Sequence, residues 1–116
     1  MDTSQFVATQ LASRLLGPNI SRYGQILATG NPDKAIPEYA GTMRVFQSLS
    51  SQQREALLSF LSVVVTDTAS TILGIIDGST GSEALNGDFK LSYEGQQISG
   101  YLQDHFLAAI ESGVGP

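Results

Sequence analysis

The segment from Ser50 to Gly78, SSQQREALLSFLSVVVTDTASTILGIIDG, decides the fold of this 116-residue chain. Ser50 stands three residues before Gln53, the spacing at which a serine hydroxyl and a glutamine side chain cap the start of a helix reciprocally. Gly78 follows the last apolar pair and is a typical helix stop. The segment therefore predicts one long helix that begins after Ser50 and ends before Gly78.

Apolar residues gather on one side of this helix when successive residues are placed about 100° apart. Serine, threonine and acidic residues gather opposite, and a strand would not keep that polar stripe in one place. We expect the apolar side to be buried. It contains Leu57, Leu61, Val64, Val65, Thr68, Ile72, Ile75 and Ile76, and the opposite side contains Glu55, Ser59, Ser62, Thr66, Ser70 and Asp77.

Asp67 lies at the margin of the predicted apolar side, beside Phe60 and Val63. A carboxylate that loses water must find a cation, hydrogen-bond donors or a proton. We expect a structural partner, either a helix N-terminus or an arginine; the alternative is that Asp67 lines a pocket. The candidate arginines are Arg14, Arg22 and Arg44.

The N-terminal part of the chain predicts three shorter helices. Gly17-Pro18 should end the first helix, and Pro18 should begin a second helix that stops at Gly30, so that the two form a helical hairpin. Pro37 suits the first turn of the third helix, which leads into the capped Ser50.

The C-terminal part predicts a β-hairpin and a last helix. Apolar and polar residues alternate after a loop rich in glycine and serine, and Glu94-Gly95 supplies a turn pair. Ser99 should cap the C-terminal helix. We therefore predict a single α+β domain, predominantly α, with about five helices around a long central helix and one β-hairpin before the C-terminal helix. Its segments are 1–49 for the N-terminal helices, 50–78 for the central helix, 79–88 for a flexible loop, 89–99 for the hairpin and 100–112 for the last helix.

Composition bounds the location and the chemistry of the protein. The chain has no cysteine, which excludes disulfides and thiolate chemistry and fits a reducing cytoplasm. Its first residues lack the basic start and apolar run of a signal peptide, and the uncharged stretch from Ala56 to Thr66 is short for a membrane span. We therefore expect a cytoplasmic protein that does not contact a membrane.

Charge is unevenly distributed along the chain. Residues 1–58 carry five basic and four acidic side chains, whereas residues 59–116 carry one basic and seven acidic side chains. An acidic half repels phosphate backbones, so nucleic-acid binding is not expected. The charge favours a basic protein as the partner, and the simpler alternative is that the acids keep a small protein soluble.

The sequence offers one catalytic hypothesis and no cofactor or metal motif. The glycine-rich loop lacks the lysine of a phosphate-binding loop and the oxygen series of a calcium loop. His105 is the only histidine; it would act as a general base with Asp67, because Asp104 points about 100° away from it on a helix. The simpler interpretation is a surface or capping histidine near a helix C-terminus.

The predicted hairpin favours self-association. A two-stranded hairpin is marginal in water, and the uncharged second strand offers an edge to which a strand of a second copy or of another protein can add. That edge consists of Gln96, Gln97, Ile98 and Ser99.

We therefore predict a small, soluble, acidic protein-interaction or regulatory module without enzymatic activity, with a homodimer formed through the hairpin edge. The alternative is a small-ligand binder or hydrolase with a helical pocket. That pocket would use Asp67 and His105, with Tyr23, Tyr93 or Tyr101.

Overall fold

A computed structural model describes residues 2–81 and 84–113 of the chain. The described residues confirm an α-rich α+β fold with a hairpin before the last helix, but they form four α-helices rather than five. The elements are α1 (Thr3–Thr29), a single 3-10 turn (Pro32–Lys34), α2 (Pro37–Ser48), α3 (Ser51–Asp77), β1 (Ser92–Tyr93), β2 (Gln96–Gln97) and α4 (Leu102–Glu111).

The predicted break at Gly17-Pro18 is wrong, because α1 runs through Pro18 as one helix of 27 residues. A proline inside a helix removes one backbone hydrogen bond and crowds the preceding turn. Packing on both sides of Pro18 offsets this cost, since the buried stripe of α1 continues across it. The buried residues of α1 are Ala8, Ala12, Leu16, Ile20 and Leu27.

The predicted ends of α3 are confirmed. The Gln53 amide donates to the Ser50 hydroxyl over 3.2 Å, and the Ser50 amide donates to the Gln53 side chain over 2.9 Å. These two bonds form a capping box. Gly78 ends the helix with φ of 80°, a left-handed conformation that glycine adopts without a steric penalty.

The predicted buried side of α3 is confirmed only in part. Val64, Thr68 and Ile72 are exposed, the other five predicted residues are half-buried, and the buried residues of the helix are Ser70, Leu73 and Gly74. Leu73 joins the core with residues of α4, and the small residues Ser70 and Gly74 let the two helices approach closely. A Cβ added at Gly74 would collide with the Thr80 hydroxyl and would lie 2.7 Å from Nε2 of Gln103.

Two separate cores lie towards opposite ends of α1, which contacts all three other α-helices. The larger core joins α1, α3, α4 and the hairpin, and the smaller one joins α1 to α2. The molecule measures 46 × 32 × 23 Å and has a radius of gyration of 17.2 Å, compared with about 13 Å for a compact chain of this length. The larger core contains Ala8, Ala12, Leu73, Ile98, Leu102, Phe106 and Ala109, and the smaller one contains Leu27, Met43 and Phe46.

The hairpin has the predicted turn but shorter strands than 89–99. Glu94 and Gly95 have φ of 52° and 77°, as a two-residue type I′ turn requires. Tyr93 pairs with Gln96 and Ser92 pairs with Gln97. The hairpin is anchored by the next residue, Ile98, whose side chain is buried in the larger core.

The start of α4 is capped by Asp77, the last residue of α3. Asp77 Oδ1 accepts a hydrogen bond from the Gly100 amide, and Oδ2 accepts one from the Gln103 amide, each over 2.7 Å. The prediction that Ser99 caps α4 is wrong, because its hydroxyl instead accepts from the Leu91 amide over 3.2 Å. A carboxylate at a helix N-terminus satisfies free amides and interacts favourably with the helix dipole.

The Gln103 side chain completes the joint between α3 and α4. Its Nε2 donates to the Ser70 carbonyl over 3.0 Å and contacts the Ser70 hydroxyl at 3.1 Å. Its Oε1 accepts from the Ser79 hydroxyl over 3.0 Å. The C-terminal end of the polar stripe is therefore a helix-packing surface, which is why Ser70 is buried.

We expect Asp77→Ala to lower the free energy of unfolding by about 2 kcal/mol, because two amides of the α4 N-terminus lose a charged acceptor. Urea denaturation followed by circular dichroism measures this change. Asp104→Ala is the matched control: Asp104 is also in the first turn of α4 but is exposed, so its loss should cost less than about 1 kcal/mol. Equal losses in the two variants would contradict the capping role of Asp77.

Candidate functional site

The most unusual surface of the protein is the α3 outer face, which we define as Phe60, Val63, Val64, Thr68 and Ile72. All five side chains are exposed. The exposed fraction is 62% for Phe60, 53% for Ile72, 51% for Val63 and 44% for Val64. Transfer of such side chains out of water is favourable, so their exposure on a helix makes this surface a candidate site.

The outer face is exposed because the neighbouring helices contact α3 either on other sides or, as at Val63, at another level along the helix. Leu57 and Leu58 pack on the smaller core formed by α1 and α2. At Gly24 the approach of α1 is close, since an added Cβ would lie 3.0 Å from a Leu58 methyl carbon. The joint with α4 lies further along, at Ser70 and Gly74. No described element is left to cover the outer face.

Sequence reasoning placed Val64, Thr68 and Ile72 in the core, so it missed this surface. The assumption was that the more apolar side of α3 faces inward. The signal against it lay at Ser70 and Gly74, two small residues four apart that permit close helix packing.

The apolar character of α3 also makes it a candidate membrane span by length and composition. An 18-residue window of the helix has a mean hydropathy of 1.7, and 6% of that window is buried. Asp67 lies within the helix, however, and a charged side chain at the centre of a bilayer costs about 2.5–3.5 kcal/mol or more. The helix thus satisfies the criterion of length and hydropathy and carries one charged side chain, Asp67, between Glu55 and Asp77.

An open groove of about 730 Å³ lies between α1, α3 and the end of α4. Leu16, Ile20 and Leu58 contribute apolar walls, and Glu55 and Asp67 contribute carboxylates. The volume is in the range of small-molecule sites. The structure thus places Asp67 beside a groove, as the pocket alternative from the sequence expected.

The prediction that Asp67 is partly buried is wrong, because its side chain is exposed. Two of the three expected arginines also contact other groups: Arg44 forms an ion pair with Asp33 at 2.9 Å, and the Arg22 guanidinium lies 4.6 Å from the centre of the Tyr23 ring. An exposed carboxylate keeps its water and requires no partner.

His105 is half-buried on α4 and does not line the groove that Asp67 lines. Within residues 2–81 and 84–113, no hydrogen bond or ion pair joins His105 to Asp67, and no group of three or more potential metal-binding side chains occurs. Tyr23, Tyr93 and Tyr101 are also outside that groove. The structure therefore does not assemble the residues of the catalytic hypothesis in one cavity.

The hairpin edge contacts the start of α1. The Thr3 hydroxyl donates to Oε1 of Gln96, and the Ser4 hydroxyl donates to the Ile98 carbonyl over 3.0 Å. Gln97 is exposed, whereas Ser99 is half-buried and bonded to the Leu91 amide. Strand addition at Gln96, Gln97, Ile98 and Ser99 stays a prediction. An added strand would have to pair with this edge next to the bonds from Thr3 and Ser4.

Comparison with known proteins gives no guide to function. No protein-family model matches the chain, and no match was found among curated proteins or solved structures. The functional argument therefore rests on the α3 outer face and the groove beside it.

We expect Phe60→Gln and Asp67→Asn each to change the free energy of unfolding by less than about 1 kcal/mol in dilute solution, because both side chains are exposed. Urea denaturation at low micromolar protein concentration measures this. Phe106→Gln is the matched control, since Phe106 is fully buried and its replacement should cost more than about 3 kcal/mol. A loss as large at Phe60 would show that this residue belongs to a core.

Proposed function

We propose that the protein is a non-enzymatic interaction module that binds another protein chain through the α3 outer face. The observation that supports this function is the exposure of Phe60, Val64 and Ile72 on one side of a capped, well-formed helix, with Val63 exposed at the margin beside the groove. Helices with such a face commonly bind a partner helix or groove through residues spaced three and four apart.

The proposal has an energetic basis. Complete burial of a phenylalanine, valine or isoleucine side chain is worth about 1.5–3 kcal/mol, and Phe60 leaves 62% of its surface in water. The remaining free energy becomes available when a partner covers the outer face. Since α3 is held by its capping box and by the Asp77 joint, the surface is ordered before binding, which reduces the entropic cost of association.

Charge influences the choice of a protein partner. Asp67 is exposed and lies between Phe60 and Val63 in helical projection, so it brings a negative charge to the outer face. Six other acidic side chains lie in residues 59–116. A basic partner would associate faster with this half, with an effect that decreases as salt rises. The apolar face would supply affinity that persists at high salt.

We expect Phe60→Gln combined with Val64→Gln to abolish partner capture by the purified protein at both low and high salt. Capture from a lysate of the source organism, followed by mass spectrometry that also identifies the bait's own chain, measures this. Ser59→Gln, an exposed position on another side of α3, is the matched control and should preserve capture. Partners that bind the double Gln variant as well as the wild type would contradict the proposal.

A second candidate function, binding of a small apolar ligand, is favoured by the groove of about 730 Å³. Leu16, Ile20 and Leu58 would contact the apolar part of the ligand, and Glu55 or Asp67 would attract a positive group on it. A hydrolytic activity has less support, because His105 does not line the groove.

An environment-sensitive apolar dye distinguishes these two functions. If the groove is the binding site, Ser62→Phe should remove the fluorescence increase by filling the groove, and Phe60→Gln should preserve it. We expect the opposite pattern from docking at the outer face: the dye signal falls in Phe60→Gln and persists in Ser62→Phe. Loss of signal in the groove variant alone would favour the ligand-binding function.

A further inference from the structure

We propose that the groove between α1, α3 and the end of α4 binds an elongated dication, a molecule with two ammonium groups joined by an apolar chain. The inference rests on the second candidate function, because it names the class of ligand that the groove takes. It does not depend on docking at the α3 outer face. A long α,ω-diamine is the simplest member of this class.

The two carboxylates of the groove are far apart along one helix. The α3 residues that line the groove run from Glu55 to Asp67, so these two acids lie at the two ends of the α3 wall. They are twelve residues apart in the sequence, which places them about 18 Å apart along the helix axis. A ligand with one ammonium group reaches one of these acids, whereas a ligand with an ammonium group at each end reaches both.

The charge of the groove is negative and is not balanced by a basic side chain. In the part of the chain that the structure describes, Glu55 and Asp67 are the charged residues of the lining. The ion pair of the described residues joins Arg44 to Asp33, so it involves neither acid. Arg54, which precedes Glu55, donates to two carbonyls of α2 over 3.0 and 3.2 Å. Two separated carboxylates therefore favour a ligand of charge +2 over a ligand of charge +1.

The floor of the groove is apolar. Leu16 and Ile20 line the groove although they are only 2% and 4% exposed, which places them at its bottom. Leu58 and Ile110 add apolar groups to the walls. Methylene groups that cover this floor leave water at a gain in free energy, whereas a charged group there loses water without a carboxylate to replace it. The floor therefore favours an apolar chain between the two ammonium groups.

The width of the groove suits a slender ligand. Over a length of about 18 Å, the volume of about 730 Å³ corresponds to a cross-section of about 40 Å², or roughly 6 Å across. An α-helix with its side chains is about 10–12 Å in diameter. An extended methylene chain is about 4 Å wide, given the contact distance between carbon atoms. The groove thus accepts an alkyl chain and is too narrow to seat a partner helix.

The length of the groove identifies 1,12-diaminododecane as the matching probe. Each bond of about 1.5 Å advances an extended chain by about 1.25 Å, so the two nitrogen atoms are about 16 Å apart. Charge-assisted hydrogen bonds of about 2.8 Å then connect them to Glu55 and Asp67. Dodecylamine has the same chain with one ammonium group, and 1,4-diaminobutane has both groups but spans only about 6 Å. These two amines are the matched control ligands.

Isothermal titration calorimetry at pH 7 and low salt measures the dissociation constants of the three amines. The long diamine should bind about threefold tighter than dodecylamine, which is the effect of one exposed ion pair, and 1,4-diaminobutane should bind most weakly. Glu55→Gln and Asp67→Asn should each weaken the long diamine about threefold, and together about tenfold. Either substitution should weaken dodecylamine less than twofold, because its single ammonium group can turn to the remaining acid.

Asp104→Asn is the matched control variant, since it removes the same charge from an exposed site outside the groove. It should change the affinity for the long diamine less than about 1.5-fold. A loss as large as that of Asp67→Asn would overturn the inference, because it would show general attraction of amines to an acidic protein. Equal affinities of the long diamine and dodecylamine, or no saturable binding of the diamine up to about 1 mM, would also overturn it.

Two further variants separate this inference from the proposed functions. Ser62→Phe should abolish binding of the long diamine by filling the groove, and Phe60→Gln should leave it unchanged. Loss in Phe60→Gln instead would overturn the inference by placing the diamine on the outer face. An apolar dye that binds wild type but not Ser62→Phe, in a protein that does not distinguish the amines, would overturn the dication and leave the second candidate function standing.

Discussion

The carboxylate of Asp77 holds the larger part of this fold together. It ends α3 and at the same time accepts the Gly100 and Gln103 amides at the start of α4, each over 2.7 Å. Since the Tyr101 side chain makes no capping bond at that terminus, the placement of α4 depends on a residue 25 positions before its first residue, Leu102. The Gln103 contacts with Ser70 and Ser79 then fix the rotation of α4 against α3.

The exposure of the α3 outer face follows from this constraint. Docking of α4 requires a small and polar stripe on α3, which places Ser70 and Gly74 inside and turns Phe60, Val64 and Ile72 outward. α2 packs near the C-terminal end of α1, and α4 packs near the other end of the elongated molecule. Neither α2 nor α4 therefore covers the middle of α3. The fit between α3 and α4, rather than the apolar content of each side, thus decides which side of α3 is buried. The apolar side that stays exposed is the surface on which we propose that a partner binds.

Local signals in the sequence predict the local structure well. Four such signals act within a few residues, and each occurs as expected: the Ser50–Gln53 capping box, the stop at Gly78, Pro37 at the start of α2 and the Glu94-Gly95 turn. The errors involve contacts between distant residues. Packing on both sides carries α1 through Pro18, Asp77 replaces Ser99 as the cap of α4, and the inward side of α3 is set by its fit to α4. Hydrophobic periodicity identifies the two sides of a helix but not which of them the fold covers.

Valine methyl NMR during titration with a captured partner tests the central claim most directly, because valines report on both sides of the fold. Val64 lies on the exposed α3 outer face, whereas Val7 packs against the larger core. Docking of the partner on the outer face predicts that the methyl resonances of Val64 shift as the partner is added while those of Val7 stay constant. Constant resonances for both valines at saturating partner, or equal shifts in both, would contradict the account.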